Sequence, residues 1–300
     1  MKTQTFGVEI ELTGITRAKA AEVIANYFGT TYTHTGGGYD KYEVTDRQGR
    51  QWTAMSDSSI ETELKDGTRV GRDYSCEFVT PVCRWDDIED IQEIVRQLRR
   101  KGAIANSSCG IHVHVGAESH TAKTLRNLVN IMASKEDLLY KALKVISSRE
   151  EYCKKMDESF VTEMNKQKPT STRTIENLWY EGYETYLTRS SHYNASRYHA
   201  LNLHSLWQGK GIEFRCFNGT THAGRIKTYI QLCLAINHQA LTQKGASAKK
   251  TKSANDKYTF RTWLLRMGMI GEEFETARMF LLENLSGDIA FKNGRPRVVA

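Results

Sequence analysis

The chain has 300 residues, 39% of them hydrophobic and 26% charged, a balance that suits a globular protein of one large or two modest domains. No apolar run approaches the roughly 18 residues of a membrane span, no signal-type apolar segment opens the sequence, and Cys76, Cys83, Cys109, Cys153, Cys216 and Cys233 lack the spacing of a zinc site or disulfide framework, so a cytoplasmic location is expected. The formal charge of +7 favours anionic ligands without choosing among nucleotide, nucleic acid and acidic substrate.

Residues 5–12 read as a strand whose alternation, Phe6-Gly7-Val8-Glu9-Ile10-Glu11-Leu12, puts Glu9 and Glu11 on the same side. Two carboxylates so placed repel each other and lose hydration unless a cation joins them. Thr16 is placed to cap a helix over 17–28, with Ala18, Ala21, Ile24 and Phe28 on its apolar side. A meander follows over 31–56, and its Gly36-Gly37-Gly38 reads as a hairpin rather than a phosphate loop, because neither a helix nor a Lys-Ser/Thr pair follows. Residues 74–80 form a strand carrying Glu77 and closed by Pro81; a helix over 86–101 then has its acids early and its bases late, matching the helix dipole. Residues 110–116 form a strand with His112 and His114 on one side.

A long helical region is expected over 121–164, a polar loop over 165–174 and an aromatic-rich helix over 175–189. Strand alternation returns at 198–203 and again in Ile212-Glu213-Phe214-Arg215-Cys216. A helix near 223–243, a small, basic, mobile linker or loop over 244–257 and a helical stretch over 258–286 that docks back on the core complete the reading.

Each polar pair has a plain alternative. Glu-x-Glu can be a solvated strand face, His-x-His a buried hydrogen-bonded pair, and Glu-x-Arg a cross-strand salt bridge. Together, four short apolar strands each bearing metal- or phosphate-type side chains point to one sheet with an apolar face and a ligand-lined face. Carboxylates with imidazole suit Mg²⁺ or Mn²⁺ rather than structural zinc. Arg215, beside a glutamate of that kind, would supply positive charge where phosphoryl transfer develops negative charge. No Walker loop or Rossmann fingerprint is present, so any bound ATP would be held by its phosphates through metal ions on the sheet.

The ordered motifs Glu9-Ile10-Glu11, Glu77-Phe78-Val79-Thr80-Pro81, Gly110-Ile111-His112-Val113-His114, Arg197-Tyr198-His199-Ala200-Leu201-Asn202-Leu203 and Glu213-Phe214-Arg215 resemble the amidoligase family, relatives of glutamine synthetase and glutamate–cysteine ligase in the carboxylate–amine ligase superfamily. The resemblance implies an α+β fold: a curved antiparallel sheet of the glutamine-synthetase catalytic-domain type with helices on its outer face. The catalytic unit would span 1–243 with a helical insertion at about 121–190, followed by the basic segment 244–257 and a C-terminal helical segment 258–300. It further implies ATP and two or three Mg²⁺ ions on the concave face, with Mn²⁺ as a substitute. Glu9, Glu11, Glu77, His112 and Glu213 would be metal ligands, His114 would lie at the nucleotide or acid substrate, and Arg197 and Arg215 would contact phosphate or acyl-phosphate. The implied chemistry has two steps: a substrate carboxylate takes the γ-phosphoryl group of ATP, and an amine then displaces phosphate to give an amide.

The chain also departs from glutamine synthetases. Those enzymes carry two glutamates where only Glu77 is assigned here, and Glu61 or Glu63 could supply the second. Ser56-Asp57-Ser58-Ser59 resembles an Asp-Gly-Ser-Ser segment whose aspartate helps bind ammonium, but it lacks the glycine and follows the Glu-x-Glu strand. Asp57 is thus either an amine-binding or amine-deprotonating group or an ordinary turn residue. The region 121–190 carries no such motif, and substrate choice is expected there or in the loops.

The acid and the amine, whether small molecules, peptides or proteins, are not identified by the sequence, nor is an oligomeric state, and no membrane partner is expected. Two other classes remain: a metal-dependent hydrolase or nuclease that uses the same acids and histidines to activate water, and a non-catalytic nucleic-acid-binding protein suggested by the basic balance and by Lys249, Lys250, Lys252 and Lys257. The acidic strand face weighs against the last.

Overall fold

Alternating apolar positions draw the strands into one layer and leave their other side polar. A computed structural model describes residues 1–183 and 189–293. In chain order the elements are β1 (Phe6–Leu12), α1 (Arg17–Phe28), β2 (Tyr32–Gly36), β3 (Lys41–Thr45), β4 (Gln51–Met55), β5 (Cys76–Val79), α2 (Asp87–Arg100), β6 (Gly110–Val115), α3 (Ala122–Leu143), α4 (Glu158–Gln167), α5 (Thr172–Tyr180), β7 (Leu201–Asn202), α6 (His204–Trp207), β8 (Ile212–Asn218), α7 (Ala223–Thr242), α8 (Asp256–Arg266) and α9 (Glu275–Leu282). The strands form one antiparallel eight-stranded sheet in the order β2-β3-β4-β5-β1-β6-β8-β7, so the fold is α+β. The four strands singled out by their polar pairs, β5, β1, β6 and β8, are consecutive neighbours at its centre.

One face of this sheet is the core. Val8, Ile10 and Leu12 of β1, Phe78 of β5, Ile111 and Val113 of β6 and Phe214 of β8 are all buried. Helix α1 packs on β3 and β4, α7 packs on β6 and β1, and α2 packs on both helices. Burying each large apolar side chain contributes about 1.5–3 kcal/mol, so the alternation fixes which face is dry and leaves the other to polar side chains. The Thr16 hydroxyl caps α1 as expected, accepting from Lys19 N, and Gly29 closes the helix in the left-handed region at φ 67°. All six cysteines are buried and unpaired. Among the described residues no helix is long and apolar enough to cross a membrane.

Several expected elements are shorter than the sequence pattern. The helical region 121–164 breaks after Leu143, because the Asn218 side chain donates to Lys144 O (2.9 Å) and accepts from Ile146 N (3.2 Å). The polar stretch 165–174 is largely helical: α4 runs to Gln167, and Ser171 caps α5 by accepting from Thr174 N. The helix expected over 175–189 ends at Tyr180, and its residues 184–188 lie outside the described residues. The strand at 198–203 contracts to Leu201–Asn202, since Tyr198 O instead accepts from Lys154 N. The stretch 258–286 divides into α8 and α9 around Gly268 and Gly271, both at positive φ.

The basic segment after α7 runs along α3 rather than hanging free. Ala246 N donates to Asn127 Oδ1 (3.1 Å), Thr251 N to Ser134 O (3.0 Å) and Lys250 Nζ to the buried Glu136 (2.6 Å). Its small residues allow close approach, and one of its lysines is consumed as a counter-ion.

The β3–β4 hairpin is tied to α2 by one arginine. Arg50 donates to Asp46 (2.9 Å) and forms a two-point bond with Asp87 (2.8 Å each), while Trp52 Nε1 also donates to Asp46 (3.0 Å). Arg50→Met is expected to cost about 3 kcal/mol, because it strands two buried carboxylates. Urea unfolding checks this, with the midpoint lowered and the slope unchanged.

Candidate active site

Strand register assembles the site. Glu11 of β1 lies directly opposite Glu77 of β5, Glu9 opposite His112 of β6, and His114 opposite Glu213 of β8. All six project from the face turned away from the core. On β8 the pairing skips: Ile111 faces Phe217 but Val113 faces Phe214, so Arg215 and Cys216 together oppose His112. This β-bulge keeps Arg215 on the polar face beside Glu213 and returns Phe217 to the core. Every residue expected as a metal ligand is therefore brought to one place.

The charges there are unevenly matched. Glu9 sits between two imidazoles, with His112 Nδ1 3.1 Å from Oε2 and His114 Nε2 3.2 Å from Oε1. Burial works against its charge, but His114 and His112 outweigh that and hold its pKa well below the usual carboxylate range. Glu213 is buried too, yet Arg215, His114 and His112 bring it down to about 2. Arg215 Nη1 donates to one of its oxygens and Asn202 Nδ2 to the other (2.6 Å). Burial lowers the affinity of His114 for a proton, but Glu9 and Glu213 raise it further. Glu11 accepts from Gly110 N.

Glu77 is different. It is 4% exposed and forms no hydrogen bond or ion pair with the described residues. Burial first, and then Glu9, Glu11 and Asp57, push its pKa well above the usual range.

Three overlapping sets, Glu9–Glu77–His112, Glu9–His114–Glu213 and Glu11–Asp57–Glu77, each place one ligand atom per residue within 4.8 Å of the others. Hard oxygen donors with an occasional imidazole suit Mg²⁺ or Mn²⁺. The unmatched Glu77 and the buried His114 Nε2, which is not aligned for a hydrogen bond, are the atoms a cation would satisfy. The residues present therefore fit divalent cations.

The other sequence candidates divide. Asp57 Oδ1 accepts from Ser59 N and Oγ (2.6 Å each), so it shapes a turn, and the same carboxylate reaches Glu11 and Glu77. Glu61 pairs with Arg69 (3.2 Å) and Glu63 accepts from Asn106 (3.0 Å); neither joins the three sets. Arg197 lies on the wall of a cleft of about 370 Å³ above the acids, donating to His192 O (3.1 Å) and stacking near Tyr193 and Tyr198.

Sequence reasoning missed Lys41, Tyr152 and Lys210 on the same cleft, and Asn202 beneath it. Asn202 was legible in principle, since it lies in a quoted motif on a strand next to Glu213; the other three come from loops or the meander and carry no local signal. Asn202→Ala is expected to weaken Mn²⁺ binding by about 10–100-fold, the scale for removing a group that orients a ligand. Titration followed by electron paramagnetic resonance measures it, and unchanged affinity would rule out that orienting role.

A protein-family model described as "putative amidoligase enzyme" matches residues 2–237, which include every strand of the sheet. No curated protein matches the chain.

Proposed function

The chain belongs to the amidoligase family, and from that premise we propose that it is an ATP- and Mg²⁺-dependent ligase joining a carboxylate to an amine through an acyl-phosphate. The observation that carries this reading is the charge pattern of the cleft. Its floor is a cluster of acids and imidazoles suited to cations, and Lys41, Arg197, Lys210 and Arg215 line it with positive charge suited to phosphate. We read the sheet as the glutamine-synthetase catalytic-domain type, within a catalytic unit of residues 1–243.

Glu9, Glu11, Glu77, His112 and Glu213 would hold the divalent cations, which when bound neutralise phosphate oxygens. Arg215, fixed by Glu213, would face the charge that develops as the γ-phosphoryl group moves. A substrate carboxylate oxygen bonds to the γ-phosphorus as the bond to ADP breaks. The amine nitrogen then bonds to the acyl carbon, phosphate leaves with its oxygen, and the nitrogen gives up a proton. Asp57, at the edge of the acid cluster, would bind the amine and take that proton. His114 and Arg197 would contact nucleotide or substrate, and Lys210 O, 3.2 Å from His114 Nδ1, helps set the ring's orientation.

The test is calorimetric binding of a non-hydrolysable ATP analogue with Mg²⁺, followed by assay of ADP and phosphate release with panels of acids and amines. Mg²⁺-dependent analogue binding and amine-dependent phosphate release are expected. Hydrolysis of amides or phosphodiesters without ATP would overturn the reading in favour of a metal-dependent hydrolase.

A further inference from the structure

Arg149 has no part in the site as described, yet it points into it. It ends the short 3₁₀ turn Ser147–Arg149 that follows α3. It is 5% exposed, and among the described residues its Nε has no hydrogen-bond partner and its side chain makes one long bond, from Nη2 to Arg215 O (3.5 Å). Among the described residues no carboxylate lies within ion-pair distance of it. Every other buried charge in the cleft floor except Glu77 has an opposite partner. A guanidinium kept from water without a counter-charge is costly, so its place calls for an anion that the protein does not itself supply.

The chain also makes room for it. Gly110 lies on the polar side of β6, next to Glu11, and a Cβ added there would sit 2.1 Å from Arg149 Nη2. The first residue of the Gly-x-His-x-His motif is therefore small because a guanidinium crosses over it.

Resting on the ligase reading, we propose that Arg149 recognises a second, non-reacting carboxylate of the acid substrate. The two ends of the site differ in a way that assigns them. Near Arg149 the cleft is small, about 250 Å³, and lined by Ser59, Ser107, Ser108, Ser148 and Tyr152, with Glu11, Glu61 and Glu151 also on its wall. Glu61 is paired with Arg69 and Glu11 is held by Gly110 N and His112, so the hydroxyls and the unmatched Arg149 are what the cleft offers to a compact anion. At the far end a cleft of about 410 Å³ is walled by Met55, Val79, Pro81 and Val82 beside Glu9, His114 and Lys210, an apolar wall with a few polar groups that suits a nucleoside. Phosphates entering from that end meet the acids and Arg215, so the group arriving from the Arg149 end is the acid. One carboxylate reacts beside Arg215, and Arg149 is left for another. A monocarboxylate would leave it unpaired. The substrate class is thus an acid with two carboxylates, whether a simple dicarboxylate, an acidic amino acid or a peptide with an acidic side chain and a free C-terminus.

The test uses the purified full chain with MgCl₂. Calorimetry and thermal shift compare dicarboxylates from succinate to adipate and L-glutamate with monocarboxylates of equal length and with inorganic phosphate. At least one two-carboxylate ligand is expected to bind wild type about 10–150-fold more tightly than its monocarboxylate, the range for one hydrogen bond to a charged group. Arg149→Gln should abolish that preference, and Arg149→Lys, which keeps the charge but loses the fork, should keep part of it. Gly110→Ala should abolish it by displacing the guanidinium. No preference in wild type overturns the proposal without any variant, as does a preference that survives in a folded Arg149→Gln protein. Dependence of phosphate rather than carboxylate binding on Arg149 overturns it as well, in favour of a phosphate subsite. Binding of the ATP analogue by wild type is read separately. If the analogue binds and the carboxylate preference is absent, this inference fails and the ligase reading stands.

Discussion

Glu77→Gln is expected to make the metal-free protein more stable at neutral pH and, at the same time, to abolish its response to Mg²⁺. Glu77 faces Glu11 across the β1–β5 ladder and lacks a partner of its own. Its proton affinity is raised by burial and by Glu9, Glu11 and Asp57. A carboxyl whose folded pKa lies above its unfolded value costs stability as pH rises from the unfolded value through the folded one. At pH 7 that cost cannot exceed about 3.7 kcal/mol, the work of holding a proton on a group with an unfolded pKa of about 4.3.

Glutamine keeps the shape and removes the cost. The apo melting temperature should rise by several degrees, at about 2–4 °C per kcal/mol for a chain of this size. The advantage should shrink as pH falls towards about 4, where the wild-type group is protonated in both states. With Mg²⁺ the order reverses, since wild type is stabilised by binding and the variant is not. Differential scanning calorimetry at pH 4.5 and 7, with and without MgCl₂, decides it. An apo protein destabilised by Glu77→Gln would mean that the carboxylate has a structural partner and that the metal assignment is wrong. Glu9→Gln should behave in the opposite way, losing stability without metal, because Glu9 is already held by His112 and His114.

Arg215→Lys is expected to lower kcat by about 10²-fold or more, with nucleotide affinity changed less. The guanidinium is buried, and burial alone would favour its neutral form, but Glu213, Glu9 and Glu11 raise its pKa above the ordinary value, so it is a fixed cation. Its Nη1 is committed to Glu213, and its Nε lies 3.5 Å from Tyr152 O, which orients the fork over the cleft floor. A fixed charge aimed at developing charge acts more on the transition state than on the ground state. Lysine retains the charge on a flexible stem and cannot bond Glu213 and a phosphate in one plane. Single-turnover kinetics with ATP and an accepted acid, beside calorimetric nucleotide affinity, separate the two effects. Lost affinity with unchanged kcat would make Arg215 a binding clamp instead.

The polar face was legible because a strand's period of two is unforgiving. Once Val8, Ile10 and Leu12 are taken as core, Glu9 and Glu11 have one direction left, and the same holds for His112 with His114 and for Glu213 with Arg215. What local pattern cannot carry is the partnering across the chain. Glu9 and Glu11 look alike in sequence, yet one lies between imidazoles and the other opposite Glu77. The break after Leu143 is imposed by Asn218, which lies at the end of a strand far along the chain. Arg149 belongs to a turn with no periodicity, and its role depends on the missing side chain at Gly110. The segment after α7 reads as a flexible linker by composition, but its fate is set by Asn127, Ser134 and Glu136 on α3.

The skip in pairing on β8 bears on which changes of length this strand can survive. Phe214 and Phe217 are an odd number of positions apart yet both face the core, which only the extra residue at Arg215–Cys216 permits. Deleting Cys216 would let Phe217 follow Arg215 directly, so that Arg215 alone opposes His112, Phe217 still pairs with Ile111 and faces the core, and Glu213 and Arg215 stay on the polar face. The extra residue is thus one the ladder can lose without exchanging its faces, whereas a deletion of Phe214, between Glu213 and Arg215, would turn one of those two charged side chains towards the core. Chains sharing this site are expected to keep Glu213 and Arg215 two positions apart while either retaining or lacking the residue at 216.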